Sequence, residues 1–298
     1  FEKALSYLPQ DSTFYSHTLA WFGGNYDDID YEKSITMLHE ALRIHRERGD
    51  INELPWTLTQ LIIALGNRLH FQEAAALVDE ALHYSRLIRH PDAETFVLLA
   101  SGHLVMWSGD VEKAYDIATE TYKTAKRSNQ PLHPIMFCEL RVQCLLILEK
   151  PVDDVLSSLH VLIEKAKAST PYVSDIPTRT PMAILLSCIN NDDMAARRAW
   201  QTSIYGIPAG SWIQIFSVES ILHFRANDDE FAATLIGHLS NYDPGVLKRW
   251  RLYQETISQL QKRMDELAYQ QAYQHGKSLS MDEMAEVLKE KTGHPDYQ

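Results

Sequence analysis

Cysteine, basic charge and long apolar runs are all scarce in this sequence, and each shortage excludes a class of protein. The 298-residue chain has three cysteines, Cys138, Cys144 and Cys188, with no CxxC pair. Such a sparse set is typical of a reducing compartment, so we expect a cytoplasmic protein. Acidic residues number 40 against 28 lysines and arginines, and this net charge of −12 argues against a nucleic-acid binder. No apolar run approaches the ~18 residues of a membrane span.

Motifs that carry catalysis or bind cofactors are also missing. There is no GxSxG, no HExxH, no HxE with a later CxxC, and no GxxxxGK[ST] phosphate loop. The 13 histidines are scattered, and metal sites need several convergent ligands. We therefore expect that the chain is not an enzyme and has no catalytic, cofactor-binding or metal-binding residues.

The stretch 90–129 has the pattern of two antiparallel helices joined by a tight turn. Pro91 suits a helix start, Gly109 ends the first helix and Asp110 caps the second. Gly102 lies inside the first helix, at a cost of about 1 kcal/mol relative to alanine, so it indicates close approach of a neighbouring helix. The pattern resembles the tetratricopeptide repeat, whose small residues let helices A and B pack closely. The spacing is carried by Leu98, Gly102, Val105, Gly109, Val111, Ala114 and Ala118.

The second helix of this hairpin, helix B, has counterparts along the chain at a period near 40 residues. Weaker copies start at Val152 and Asp193, and a sixth hairpin is predicted over 211–239 with its turn at 226–228. The strong copies align as Tyr31, Ser34, Leu38, Ala41, then Phe71, Ala74, Val78, Ala81, then Val111, Ala114, Ala118, Thr121.

The period alone leaves two repeat architectures open, because it overlaps the HEAT and armadillo range while the tetratricopeptide period is about 34. Glycine at the A-helix midpoint and at the turn favours tetratricopeptide geometry, and HEAT-like packing is the alternative. No hairpin buries its apolar face alone, so neighbours are expected to stack. We predict an all-α, tetratricopeptide-like right-handed superhelix of about six helical hairpins over 1–243, followed by capping helices over 244–298.

The predicted capping region begins with one long helix or two bent ones, closed by Gly276. Ser280 and Glu283 then form a capping box at the start of a short final helix. An apolar stripe from Val246 to Leu267 is expected to seal the last hairpin. The basic residues here indicate a solvated helix face rather than a site for an anionic partner; they are Lys248, Arg249, Arg251, Lys262 and Arg263.

The segment 169–181 interrupts the helical pattern with three prolines and no periodicity. It predicts an ordered loop between the fourth and fifth hairpins. We favour a simple connector over a lid that closes on a binding groove.

The A helices of such a solenoid line its inner, concave face, which is the default surface for binding a ligand or partner. The register of the tetratricopeptide repeat assigns to this face Trp56, Gln60, Phe96, Leu99, His103, Met106, Trp107, Phe137 and Arg141. They predict an aromatic-lined groove with Gln60, His103 and Arg141 as polar anchors. The alternative is that the apolar members form the core between repeats. His103 is the strongest single candidate because it is polar and lies in the middle of its helix.

The end of the chain carries a more specific resemblance. An aromatic-rich stretch at 269–273 is followed by Gly276, by Leu279 and Ser280, and by an acidic, alanine-containing helix at 282–288. This order resembles the tail of bacterial STAND-class signal-transduction ATPases, including LuxR-type and activator-type transcriptional regulators. The hairpin that begins at His90-Pro91 is similar to the helical repeats of the same proteins. The resemblance covers roughly residues 31–291.

The resemblance implies a sensor or arm domain that holds an upstream nucleotide-binding switch closed. The expected partners are a protein or peptide inducer and the nucleotide-binding domain of the same polypeptide. Because this chain has no phosphate loop and no recognisable helix-turn-helix, ATP or ADP and DNA would bind other parts of such a protein. The sequence also starts within a helix-like stretch, so we expect a piece of a longer protein. The alternative is a free-standing tetratricopeptide module that binds a peptide or protein, as quorum-sensing receptors of similar architecture do.

Overall fold

The structure, a computed structural model, describes residues 2–26, 30–68, 70–125, 132–167, 187–201, 209–242 and 244–293. Within these ranges the chain is helical and contains no strand, which confirms the predicted all-α class. The same residues include no helix long and apolar enough to cross a membrane. The superhelix and the boundary at 243/244 stay predictions, and the loop predicted over 169–181 lies outside the described residues.

The helices are numbered in chain order. They are α1 (Glu2–Leu5), α2 (Thr13–Tyr26), α3 (Tyr31–Arg48), α4 (Leu54–Asn67), α5 (Phe71–Leu87), α6 (Pro91–Ser108), α7 (Val111–Ala125), α8 (Leu132–Ile147), α9 (Asp153–Lys167), α10 (Asp193–Gln201), α11 (Ala209–Arg225), α12 (Asp229–Ser240), α13 (Gly245–Arg249), α14 (Arg251–Arg263), α15 (Glu266–Ser278) and α16 (Met281–Thr292).

The chain divides into two compact units. The first unit comprises Phe1–Met106, Lys113–Arg141 and Pro208–Gly210. The second unit comprises Trp107–Glu112, Val142–Ile207 and Ser211–Gln298.

Successive helices of the first unit pack as hairpins, α2 with α3 and α4 with α5. Local sequence sets their ends. The Asp30 side chain accepts a hydrogen bond from the backbone N–H of Lys33 at the start of α3, and Gly49 ends that helix in the left-handed conformation, with φ of 68°. The core between the hairpins is aliphatic and includes Leu38, Leu54, Leu58, Leu61, Ile62, Val97 and Leu104.

The small residues of the predicted B-helix register are buried in this unit. Ser34, Ala74 and Ala114, spaced by 40 residues, all have no exposed surface, and Ala41 and Ala81 are equally buried. The Ser34 hydroxyl also donates a hydrogen bond to the Gly23 carbonyl, 2.7 Å away, and so joins α3 to α2. The repeat seen in the sequence therefore corresponds to positions of closest helix packing.

The A helices of the first unit also contact one another. The Gln60 side chain of α4 lies against Gly24 of α2, where a Cβ atom would overlap it. A Cβ at Gly102 of α6 would lie 2.7 Å from the side-chain methyl Cδ2 of Leu140 in α8. The glycine inside the first helix of the 90–129 hairpin thus marks a close helix contact, as predicted.

The second unit contains a crossing of two helix backbones, α12 against α15. A Cβ at Gly237 would overlap the carbonyl oxygen of Tyr273, and a Cβ at Gly276 would overlap that of Thr234. The prediction that Gly276 ends its helix is therefore wrong, because α15 continues to Ser278. The glycine is needed for the close approach of α12 rather than for a helix end.

The helices before α16 are also more broken than predicted. Three helices, α13 to α15, replace the one or two expected, because Trp250 and Met264 adopt extended backbone conformations between them. Leu267, assigned to the sealing stripe, is 66% exposed. The capping box at Ser280 and Glu283 is confirmed, with both of its hydrogen bonds present.

Three of the basic residues in this region bind acidic side chains of the same unit. Their ion pairs are Arg249–Glu112, Arg251–Glu149 and Arg263–Asp229. These ion pairs connect helices and turns to one another.

The interior of the second unit also contains ionisable side chains. Glu219, which has no exposed surface, lies 3.3 Å from the Arg197 guanidinium and 3.5 Å from Nε2 of His223. Nδ1 of His223 is 2.9 Å from Asp228, and Asp228 also binds Lys291 of α16 at 3.0 Å. Burial, followed by the charge of Arg197, lowers the pKa of His223 to about 4, so this imidazole is neutral at pH 7.

The three cysteines form no disulfide with one another and have no exposed surface. Cys138 belongs to the first unit, and Cys144 and Cys188 to the second. Burial raises the pKa of both Cys144 and Cys188 to about 12.

Candidate functional site

Two of the residues predicted to line the concave face lie side by side in the first unit. The rings of Trp56 in α4 and Phe96 in α6 are 6.2 Å apart, and the Trp56 ring also meets the edge of His90 at 5.6 Å. Both Trp56 and Phe96 are partly exposed. Their positions are 40 residues apart, so the repeat places equivalent residues of neighbouring A helices in contact.

Polar candidates flank this aromatic pair along the same two helices. Gln60 lies one turn after Trp56 in α4, and His103 lies two turns after Phe96 in α6. Both are partly exposed. Although part of His103 remains in contact with solvent, the protein packed around it disfavours the charged form and lowers its pKa to about 4. The imidazole is therefore neutral at pH 7 and offers one donor and one acceptor nitrogen. We call Trp56, Gln60, Phe96 and His103 the A-helix strip.

Arg141, the third predicted anchor, lies over two tyrosine rings of α7. Its guanidinium carbon is 5.7 Å from the ring centre of Tyr115 and 5.2 Å from that of Tyr122. Such contacts of a cation with aromatic faces are worth about 0.5–1 kcal/mol each at exposed sites. Part of the binding capacity of this arginine is therefore used within the protein.

The remaining candidates are mostly interior. Leu99 is 6% exposed, and Met106 and Phe137 have no exposed surface. Their burial agrees with the alternative in which the apolar candidates form a core. Trp107 is partly exposed and belongs to the second unit. The assignment of all nine residues to one concave face stays a prediction.

Sequence reasoning missed a buried acid, Glu139 of α8. Its side chain is 8% exposed, and its Oε1 atom has no hydrogen-bond partner among the described residues. Burial raises the pKa of this carboxyl to about 8, so it keeps its proton at pH 7. The signal was available: Glu139 follows Leu99 by one repeat period, and the same register that buries Leu99 also buries Glu139.

The described residues contain no group of three or more His, Cys, Asp or Glu side chains placed to hold a metal ion. In comparisons with known proteins, no family model matches this chain, and no curated protein matches it.

Proposed function

We propose that this chain is a non-catalytic helical-repeat module that binds a protein or peptide segment along the A-helix strip. Helical repeats of this kind have extended surfaces built from successive A helices, and such surfaces suit extended or helical peptides. Affinity would come from the aromatic pair, and orientation from the polar side chains beside it.

The contact between Trp56 and Phe96 is the observation that carries this proposal. Neighbouring A helices bring two large, partly exposed rings together, 6.2 Å apart. Tryptophan is among the residue types most enriched where single side chains dominate binding energy. Gln60 and neutral His103 add hydrogen-bonding groups that suit the backbone or polar side chains of a peptide.

We further propose that the module is the sensor domain of a STAND-class regulator in the cytoplasm. The support is the order of residues in the tail and in the His-Pro hairpin. Its partner would then be a protein or peptide inducer, or the nucleotide-binding domain of the same polypeptide, and that domain would bind ATP or ADP. The alternative is a free-standing peptide- or protein-binding module.

The binding proposal is tested by selecting peptides from a random phage-displayed library on the purified chain and measuring their affinity by fluorescence polarisation. We expect saturable binding that weakens about tenfold or more in Trp56→Ala, because truncation of a central aromatic typically costs more than 1 kcal/mol. Trp21→Ala is the matched control, since Trp21 is an exposed tryptophan of the same unit outside the strip. Equal loss in both variants, or no selected peptide, would contradict the proposal.

The sensor role needs a separate test within the parent polypeptide. If this segment restrains a switch, deleting it raises the basal ATPase activity or transcriptional output of the parent protein. An unchanged basal level would refute restraint and leave the free-standing module. Trp56→Ala in the parent should then affect the response to the inducer rather than the basal level.

A further inference from the structure

Tyr253 of α14 is a buried tyrosine of the second unit, 4% exposed, whose hydroxyl group has no hydrogen-bond partner among the described residues. Its ring stacks on that of Trp250, 6.3 Å away and 12° from parallel, and this contact restrains its position. Burial, and then the proximity of Tyr269 and Tyr273, raises the pKa of Tyr253 well above its usual range, so the hydroxyl keeps its proton and can donate. Buried polar groups are rarely left unpaired in native proteins, so this donor requires an explanation.

The same tyrosine belongs to the lining of a cavity of about 470 Å³ in the second unit. The cavity lies between the C-terminal part of α12 and helices α13, α14 and α15. This volume falls within the ~300–1,000 Å³ typical of pockets for small ligands. Tyr253 therefore borders a space large enough for a molecule that accepts its hydrogen bond. The aliphatic part of the lining consists of Ile236, Leu239, Pro244, Leu247 and Ile257.

Other polar side chains of the described lining are hydrogen-bonded within the protein. Their bonds join Gln261 to Tyr269, Gln254 to the Leu247 carbonyl at 2.9 Å, Gln270 to Glu266 at 3.1 Å and Ser240 to the Gly237 carbonyl at 2.6 Å. Tyr273, whose ring stacks on Tyr269 at 5.9 Å, is partly exposed. The Tyr253 hydroxyl is therefore the buried donor of the described lining that a ligand can use.

The charged side chains described at the cavity have both signs and already interact within the protein. Lys248 makes an interaction of its own, and the Glu266 carboxylate accepts the hydrogen bond from Gln270. Lys277 lies over the Tyr273 ring at 5.9 Å. An ion entering the cavity would lose its hydration without gaining an unused opposite charge, whereas a neutral molecule avoids this cost. The lining therefore favours a neutral ligand.

We propose that this cavity binds a small neutral molecule with an apolar body and a carbonyl oxygen. The apolar body would contact the aliphatic side chains, and the carbonyl oxygen would accept the hydrogen bond of the Tyr253 hydroxyl. The site uses none of the residues of the A-helix strip, so it is independent of the proposed partner binding.

The test uses 4-phenyl-2-butanone as the probe, with 4-phenylbutyrate and 4-phenylbutylamine as anionic and cationic counterparts of similar size. Binding to the full chain is measured by saturation-transfer NMR and isothermal titration at pH 7. We expect the ketone to bind with a Kd of about 1 mM or below, as ligand efficiencies allow for a molecule of this size. Both ions should bind at least about fivefold more weakly. No saturation by the ketone, or equal or tighter binding of either ion, would overturn the proposal.

The variant Tyr253→Phe locates the binding, because it keeps the ring and removes the hydroxyl. It should weaken binding of the ketone about fivefold, the factor expected for one hydrogen bond. Tyr84→Phe removes a hydroxyl from the first unit and is the matched control, which should leave the affinity unchanged. Equal affinity of wild type and Tyr253→Phe for the ketone would refute the site.

The melting temperature of the same variant separates a ligand-binding hydroxyl from a structural one. Without ligand, this hydroxyl bonds no described residue, so Tyr253→Phe should not lower the melting temperature of the chain. With the ketone present, wild type should gain more in melting temperature than the variant, because it binds the ketone more tightly. A fall of more than a few degrees in the ligand-free variant would show that the hydroxyl stabilises the fold, and would contradict the proposal.

Discussion

The two compact units bury a glutamate each, and they accommodate it in opposite ways. Glu139 of the first unit has no hydrogen-bond partner on Oε1 among the described residues, and burial keeps it protonated with a pKa of about 8. Glu219 of the second unit lies against Arg197 and His223. A buried carboxyl can thus be tolerated through a bound proton or through a neighbouring cation. A protonated buried carboxyl makes the stability of its unit depend on pH, whereas a paired carboxylate makes that stability depend on the neighbouring cation.

Glycines at close helix contacts also differ between the two units. At Gly102 in the first unit, an added Cβ would meet the end of the flexible Leu140 side chain. At Gly276 in the second unit, it would meet the backbone of Thr234. A side chain can rotate away, whereas a helix backbone must shift as a whole. The second unit is therefore expected to be the less tolerant of substitution.

The largest effect is expected from Glu219→Gln. Removing one member of a buried ion pair leaves the other without compensation, so the free energy of unfolding should fall by about 3 kcal/mol or more at pH 7. Urea denaturation measures it. Glu80→Gln is the matched control, because the Arg46–Glu80 pair is exposed and should contribute less than about 1 kcal/mol. Similar losses in the free energy of unfolding of both variants would show that the buried ion pair stabilises the protein no more than the exposed one.

Glu139→Gln should act in the opposite direction. The folded-state pKa of about 8 lies above the ordinary value of 4.5, so the folded state binds more protons between these pH values and loses stability as pH rises. An uncharged isostere removes this loss and should stabilise the protein by up to about 3 kcal/mol at pH 7. The gain over wild type should shrink towards pH 4.5 and level off above pH 8. Parallel stability curves for the two proteins would refute the raised pKa.

A smaller difference is expected between two alanine substitutions. Gly276→Ala should lower the free energy of unfolding by about 2–3 kcal/mol, because α12 and α15 must separate. Gly102→Ala should change it by less than about 1 kcal/mol, since rotation of Leu140 is offset by the better helix propensity of alanine. Thermal unfolding followed by circular dichroism distinguishes the two. A larger loss at Gly102 would reverse the proposed order of tolerance.

The parts of the fold that follow from local pattern were predictable from sequence. The spacing of Ser34, Ala74 and Ala114 identified positions with no exposed surface, and Ser280 with Glu283 identified a helix start. The prediction failed where contacts between residues far apart in the sequence determine the structure. Gly276 was assigned to a helix end because glycine commonly ends helices, while its real constraint is the backbone of Thr234, 42 positions earlier.

The candidate sites follow the same rule. The contact of Trp56 with Phe96 was available from the repeat register, because equivalent positions of neighbouring A helices adjoin. Glu139 was missed because burial of an acid contradicts the usual preference of its residue type. The division of this region into α13, α14 and α15 was missed because a stripe of apolar residues does not indicate the breaks at Trp250 and Met264.

The buried cysteines have a practical consequence. A thiol reagent must reach the sulfur atom, so a fully covered cysteine is modified only when its surroundings open. Cys138 lies in the first unit and Cys188 in the second, and neither has exposed surface. The alkylation rate of each cysteine in native buffer therefore reports how often its own unit opens spontaneously. Mass spectrometry of the two labelled peptides would read both rates from a single unmodified sample.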